Sequence, residues 1–159
     1  YRSYYKIILS ISMQNFLKIK FKKLTSNARI PTRADMGSAG LDLFAASEPV
    51  RCKEYSVWEY DTGIAMEIPE GYVGLLFSRS SISNTNMMLV NAVGVLDASF
   101  RGSIKARFRC IYNAEFPAYQ KGDKIAQLIV MPYPIVELEE VDELSTTERG
   151  EGSFGSSGR

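Results

Sequence analysis

The sequence predicts an all-β fold, an antiparallel sandwich or jelly roll built from many short strands. Three observations point there. Residues 103–110 alternate strictly, setting Ile104, Ala106, Phe108 and Cys110 on one face and Lys105, Arg107 and Arg109 on the other, which is the period of a half-buried strand. Further apolar segments of strand length are separated by glycine and proline turns. No stretch carries a long amphipathic helical period.

Taken in order, the first strand is expected in the alternating run Leu17–Lys22, just after Met13. The apolar run Gly40-Leu-Asp-Leu-Phe44 reads as a strand with Asp42 in its middle. Val57–Tyr60, Ile64–Ile68, Tyr72–Phe77, Ile125–Met131 and Ile135–Val141 follow, with breaks at Thr62-Gly63, Pro69-Glu-Gly71, Pro117 and Pro132-Tyr-Pro134. Residues 1–12 read as an upstream extension, non-native or disordered, because they lack the basic start, long apolar stretch and small-residue cleavage site of a signal peptide. Residues 13–148 form one domain, and residues 149–159 a flexible glycine-rich arm.

Composition excludes several classes of function. The chain has 159 residues, 45% of them hydrophobic and 23% charged, with a formal net charge of +1. That is one domain's worth of an ordinary globular protein. With so little net charge there is no global field to draw the chain to nucleic acid or a membrane surface, and no run is apolar enough to suggest a membrane span. Cys52 and Cys110 lie far apart and there is no histidine, which argues against a zinc site or a disulfide framework. Both read as buried, reduced thiols of an intracellular protein, cytoplasmic or, in a eukaryotic host, nuclear.

The arm Arg149-Gly-Glu-Gly-Ser-Phe-Gly-Ser-Ser-Gly-Arg159 is too polar to build a core. Its glycines can turn backbone N–H groups towards an anion, its serines and Arg149 add donors for phosphate oxygens, and Phe154 offers a face for a base. Composition alone favours a disordered Gly/Ser terminus. Four other segments accompany it in order. They are Ser38-Ala-Gly-Leu-Asp-Leu-Phe-Ala-Ala46, Ser78-Arg-Ser-Ser81, Gly94-Val-Leu-Asp-Ala-Ser-Phe-Arg-Gly102 and Lys121-Gly-Asp-Lys-Ile-Ala-Gln-Leu-Ile129. Together the five resemble the motifs of the trimeric all-β deoxyuridine triphosphatases, the dUTPases, over residues 18–159.

The resemblance implies a jelly roll, a homotrimer with shared sites, and Mg²⁺-assisted hydrolysis of dUTP to dUMP and diphosphate. It assigns Asp97 as the base that activates water; unaided, Asp97 reads as a turn aspartate. Asp42, a carboxylate within an apolar strand, needs a cation or donors in any case, and by resemblance it supports Mg²⁺ through water; a structural ion pair is the plainer reading. Arg79, Ser80 and Ser81 would contact phosphate, as would Gln127, which can also be read as a buried amide satisfied by backbone groups. Asn91 and Gly94 belong to the segment resembling the uracil-binding hairpin. In the arm, Arg149, Phe154, Gly155, Ser156 and Ser157 would close over the nucleotide.

Three residues depart from the pattern. Phe100 stands where most relatives carry a tyrosine that stacks on the deoxyribose, Ser153 replaces a usual glycine, and Ser157 a usual threonine. A deaminase of dCTP with the same fold, or a bifunctional one, is the nearest alternative. Its pattern asks for a glutamate and an arginine where this chain has Arg107 and Asn84. A catalytically idle nucleotide-binding regulator is the other.

Overall fold

The computed structural model describes residues 16–53, 56–112 and 117–153. Ten strands run in chain order as β1 (Lys20–Lys23), β2 (Leu41–Phe44), β3 (Val50–Cys52), β4 (Val57–Asp61), β5 (Ile64–Glu67), β6 (Tyr72–Phe77), β7 (Met87–Leu89), β8 (Gly94–Leu96), β9 (Lys105–Cys110) and β10 (Lys124–Pro132). A 3₁₀ segment, Ser80–Asn84, follows β6. Two antiparallel four-stranded sheets, β2-β10-β6-β8 and β3-β4-β9-β7, are accompanied by the pair β1-β5.

The periodicity of β9 is realised as expected. Ile104, Ala106 and Phe108 are buried while Lys105, Arg107 and Arg109 are exposed. Both sheets feed one core: Leu43, Leu76, Leu96 and Leu128 come from the first, and Tyr60, Met87, Leu89 and Phe108 from the second. Burying each such large side chain contributes about 1.5–3 kcal/mol. Thr62, almost wholly buried, is satisfied on both sides, since its hydroxyl donates to the Ile104 carbonyl at 2.8 Å and accepts from the Ile64 N–H at 3.2 Å.

Two expectations are corrected. Residues 135–141 form no strand. They have the composition of one, but they pair with no strand among the described residues, and Ile135 and Leu138 are about nine-tenths exposed. A strand is stabilised by its neighbours rather than by its own residues. Cys52 and Cys110 are half-buried rather than buried, each lying at the last residue of its strand.

Candidate active site

The first group of predicted residues gathers where β2, β10 and the end of β6 lie side by side. Gln127 on β10 is directly opposite Asp42 on β2 and Phe77 on β6. Asp42 is buried, and its carboxylate is held from two directions: Arg79 Nε lies 3.1 Å from Oδ1 and Lys124 Nζ lies 2.7 Å from Oδ2. The structural ion pair is thus present in the free chain. Arg79 also donates through NH1 to Ser81 Oγ at 3.3 Å and to the Lys124 carbonyl at 3.4 Å.

Lys124 was not anticipated as part of this group. Three positions separate it from Gln127, which in a regular strand would place the two on opposite faces. The register between β10 and β2 slips between Lys124 and Ala126, and this bulge turns Lys124 onto the face of Asp42. Bulges beside functional sites commonly re-aim a side chain in this way. Gln127 donates Nε2 to the Ser78 carbonyl at 3.0 Å, so its amide has a backbone partner before any ligand arrives. A Cβ at Gly40 would come within 2.7 Å of Gln127 Oε1, so a larger residue there would displace the Gln127 amide.

The second group surrounds the hairpin from β7 to β8. A cavity of about 530 Å³ is lined by Asn91, Gly94, Leu96 and Phe100 together with Glu59, Lys105 and Arg107. Gly94 pairs with Leu76, and a Cβ there would meet Leu76 Cβ at 3.1 Å. The turn itself is strained, with Ala92 at φ 55°, a conformation rarely adopted by residues other than glycine. Glu59 is the one carboxylate lining this cavity among the described residues. The hydrogen bond from Lys105 at 2.7 Å, with Arg107 at 2.7 Å on the other oxygen, holds it below the usual carboxylate range against the effect of burial. A carboxylate so stabilised in its charged form is unsuited to shuttling protons to an amine.

Asp97 is exposed at the end of β8. It lines a neighbouring cavity of about 830 Å³ with Tyr72, Ser99, Arg101 and Tyr133. Arg101 folds back on its own turn, donating to the Ala98 and Phe100 carbonyls. Neither this cavity nor the hairpin cavity is lined by Asp42, Arg79, Ser81 or Gln127. Ser80 opens the 3₁₀ segment and is exposed. Among the described residues the Arg149 side chain bonds within the arm, donating to the Gly152 carbonyl at 2.9 Å. Phe154, Gly155, Ser156 and Ser157 lie outside the described residues.

Among the described residues no three acidic, cysteine or histidine side chains cluster so as to hold a metal. Asp42 spends one contact on each oxygen, leaving acceptor capacity on both. That suits a hydrated Mg²⁺, which keeps much of its water shell and rests mainly on substrate phosphates. No helix among the described residues is long and apolar enough to cross a membrane.

Comparisons with known proteins converge on one family. The dUTPase family model matches residues 26–158. The deoxyuridine 5'-triphosphate nucleotidohydrolase of Hydrogenobaculum sp. is 36% identical over 143 residues, covering 89% of this chain and 99% of that protein. The dUTPase of Staphylococcus bacteriophage 80alpha, solved with dUpNHpp, superimposes with a TM-score of 0.73 at 32% identity, covering 89% of this chain and 99% of that one. A mutant dUTPase from phage phi11 of S. aureus, described with a structural Mg(II) ion, superimposes with a TM-score of 0.67 at 29% identity, covering 80% of this chain and 98% of that one. With the family model spanning nearly the whole chain, and the Asp42, Arg79 and Gln127 row built into its central sheet, the chain belongs to the dUTPase family.

Proposed function

We propose that this chain hydrolyses dUTP to dUMP and diphosphate in a site shared between subunits of a homotrimer. A water oxygen attacks the α-phosphorus, the α–β phosphoanhydride bond breaks, and the water's proton passes to the Asp97 carboxylate. Positioning and charge neutralisation carry such a reaction, with little covalent work for the protein. Arg79 has its NH2 group left for a phosphate oxygen, Ser80, Ser81 and Gln127 add donors, and Asp42 anchors Arg79. Bound Mg²⁺, held by the phosphates and through water by Asp42, would neutralise charge on the phosphate oxygens.

Base selection falls to Asn91 and the hairpin backbone about Gly94. Their donors and acceptors suit the uracil edge, and the tight turn excludes a thymine methyl. Phe100 would screen the sugar. The arm residues Arg149, Phe154, Gly155, Ser156 and Ser157 would close over the bound nucleotide, with residues 13–148 as the domain that builds the site.

The observation that carries the shared-site reading is the separation of Asp97 from the phosphate group of residues within one chain. Pairing of Leu76 with Gly94 and of Gly74 with Leu96 sets Asp97 toward the start of β6 while Arg79 follows its end. The cavities lined by Asp97 and by the hairpin include neither Asp42, Arg79, Ser81 nor Gln127, which supports a site completed by parts of more than one chain. A nucleotide panel assayed for diphosphate release, with and without EDTA, tests the activity. Release from dUTP that EDTA abolishes is expected, and deaminated product from dCTP would contradict the reading.

A further inference from the structure

The two cations on Asp42 are held in different ways. Arg79 is pinned, because besides its 3.1 Å contact with Asp42 Oδ1 it donates to Ser81 Oγ and to the Lys124 carbonyl. Among the described residues the Lys124 ammonium meets one anion, Asp42 Oδ2 at 2.7 Å, and stands 6.0 Å from the centre of the Phe44 ring. Its side chain is 39% exposed, against 12% for Asp42. An ammonium on a flexible stem, partly in water, can leave its partner at little cost, whereas a guanidinium fixed on several acceptors cannot.

The bulge between Lys124 and Ala126 is what brings this ammonium onto Asp42, so the sheet departs from its regular ladder to make the contact. One carboxylate between two cations leaves the trio at a net charge of +1. Arg29 stands over the Phe44 ring at 4.0 Å, further along β2 from Asp42, and adds to the positive field. A divalent cation approaching Asp42 in the free chain therefore meets a site of its own sign. No cluster of three acidic, cysteine or histidine side chains among the described residues offsets that repulsion. A triphosphate reverses the local sign, offers the ammonium another anion, and brings oxygen ligands for the metal.

We propose that Lys124 is a charge gate for the metal: it keeps Asp42 closed to a divalent cation in the free chain and gives up Oδ2 when a triphosphate arrives. The inference rests on the reading of Asp42 as the water-mediated support of Mg²⁺, and adds to it the residue that makes metal entry wait for nucleotide. The test is Lys124→Met, which removes the charge and keeps an apolar stem. Mn²⁺ binding to the nucleotide-free protein is followed by water-proton relaxation, and dUpNHpp affinity is measured in EDTA and in Mg²⁺. Lys124→Met should bind Mn²⁺ about fivefold or more tightly than the parent, since a like charge leaves a partly exposed site. Lys124→Arg keeps the charge and should stay within about twofold of the parent on the same grounds. Asp42→Asn in the Lys124→Met background should abolish the gain, because both act through one carboxylate. Coupling is reciprocal, so the factor by which Mg²⁺ tightens dUpNHpp should shrink about twofold or more in Lys124→Met.

An Mn²⁺ affinity of Lys124→Met equal to the parent's, a gain that survives Asp42→Asn, or an equal gain in Lys124→Arg would overturn the proposal while leaving the metal reading of Asp42 in place. If Mg²⁺ leaves the parent's dUpNHpp affinity unchanged, that metal reading falls and this inference falls with it.

Discussion

Arg79 and Asp42 meet at 3.1 Å across the sheet, from the end of β6 to the middle of β2, and this contact fixes the guanidinium on which the proposed phosphate site is built. Asp42 is the more buried partner, and Lys124 grips its other oxygen at 2.7 Å. Removing the carboxylate therefore leaves two cations facing each other without their counter-charge.

Asp42→Asn should lower the unfolding free energy by about 1–3 kcal/mol, because it strips a buried anion from two cations. Lys124→Met removes only a more exposed partner and should cost about 1 kcal/mol or less. Urea unfolding midpoints compare the two. Equal effects would show that Asp42 is not the hub of the cluster.

Asp97→Asn should reduce kcat by ~10²–10⁴ with dUpNHpp affinity largely retained, since a positioned base contributes about that much and the isosteric amide cannot accept the proton. Steady-state kinetics paired with analogue binding separates chemistry from binding. A kcat within threefold of the parent would remove Asp97 from the role of base.

The β9 strand was legible because alternation is a local signal, and β6 and β10 because apolar runs bounded by glycine and proline are local too. Residues 135–141 carry the same signal and still form no strand, because pairing depends on a neighbour that local sequence does not specify. The same limit hid Lys124. Its motif was visible, but the bulge that turns it onto Asp42 arises from the register of two distant strands. Asp97, Asn91 and the arm were readable as motif members, and nothing in the linear order tells which of them one chain brings together. Arg107 sits in a strand of clear period, yet its place beside Glu59 on the wall of the hairpin cavity follows from the pairing of β4 with β9.

dUTP should be turned over far faster than dTTP, dCTP or UTP, because base and sugar meet separate screens. Phe100→Tyr should lower UTP turnover relative to dUTP by about threefold or more, through the phenol's added contact at the sugar. A ratio that does not move would show that the ring alone sets the sugar preference.

The Lys105–Glu59–Arg107 network should show in the acid limb of stability. Glu59 is held below its ordinary carboxylate value, first by Lys105, so its contribution is present above the unfolded value and is lost as pH falls through the folded one. Glu59→Gln should therefore flatten the fall in unfolding free energy on the acid side, below about pH 4.5. An unaltered slope there would mean that the pair adds nothing to folding.

The shared site is the central claim, and mixing two inactive chains tests it most directly. Asp97→Asn subunits and Arg79→Ala subunits are each unable to complete a site alone. Refolded together in equal amounts, they should recover about a quarter of the parental activity, since sites would then arise with Asp97 from one chain and Arg79 from another. If mixed trimers form and no activity returns at any mixing ratio, Asp97 and Arg79 serve the same nucleotide from within one chain, and the account is wrong.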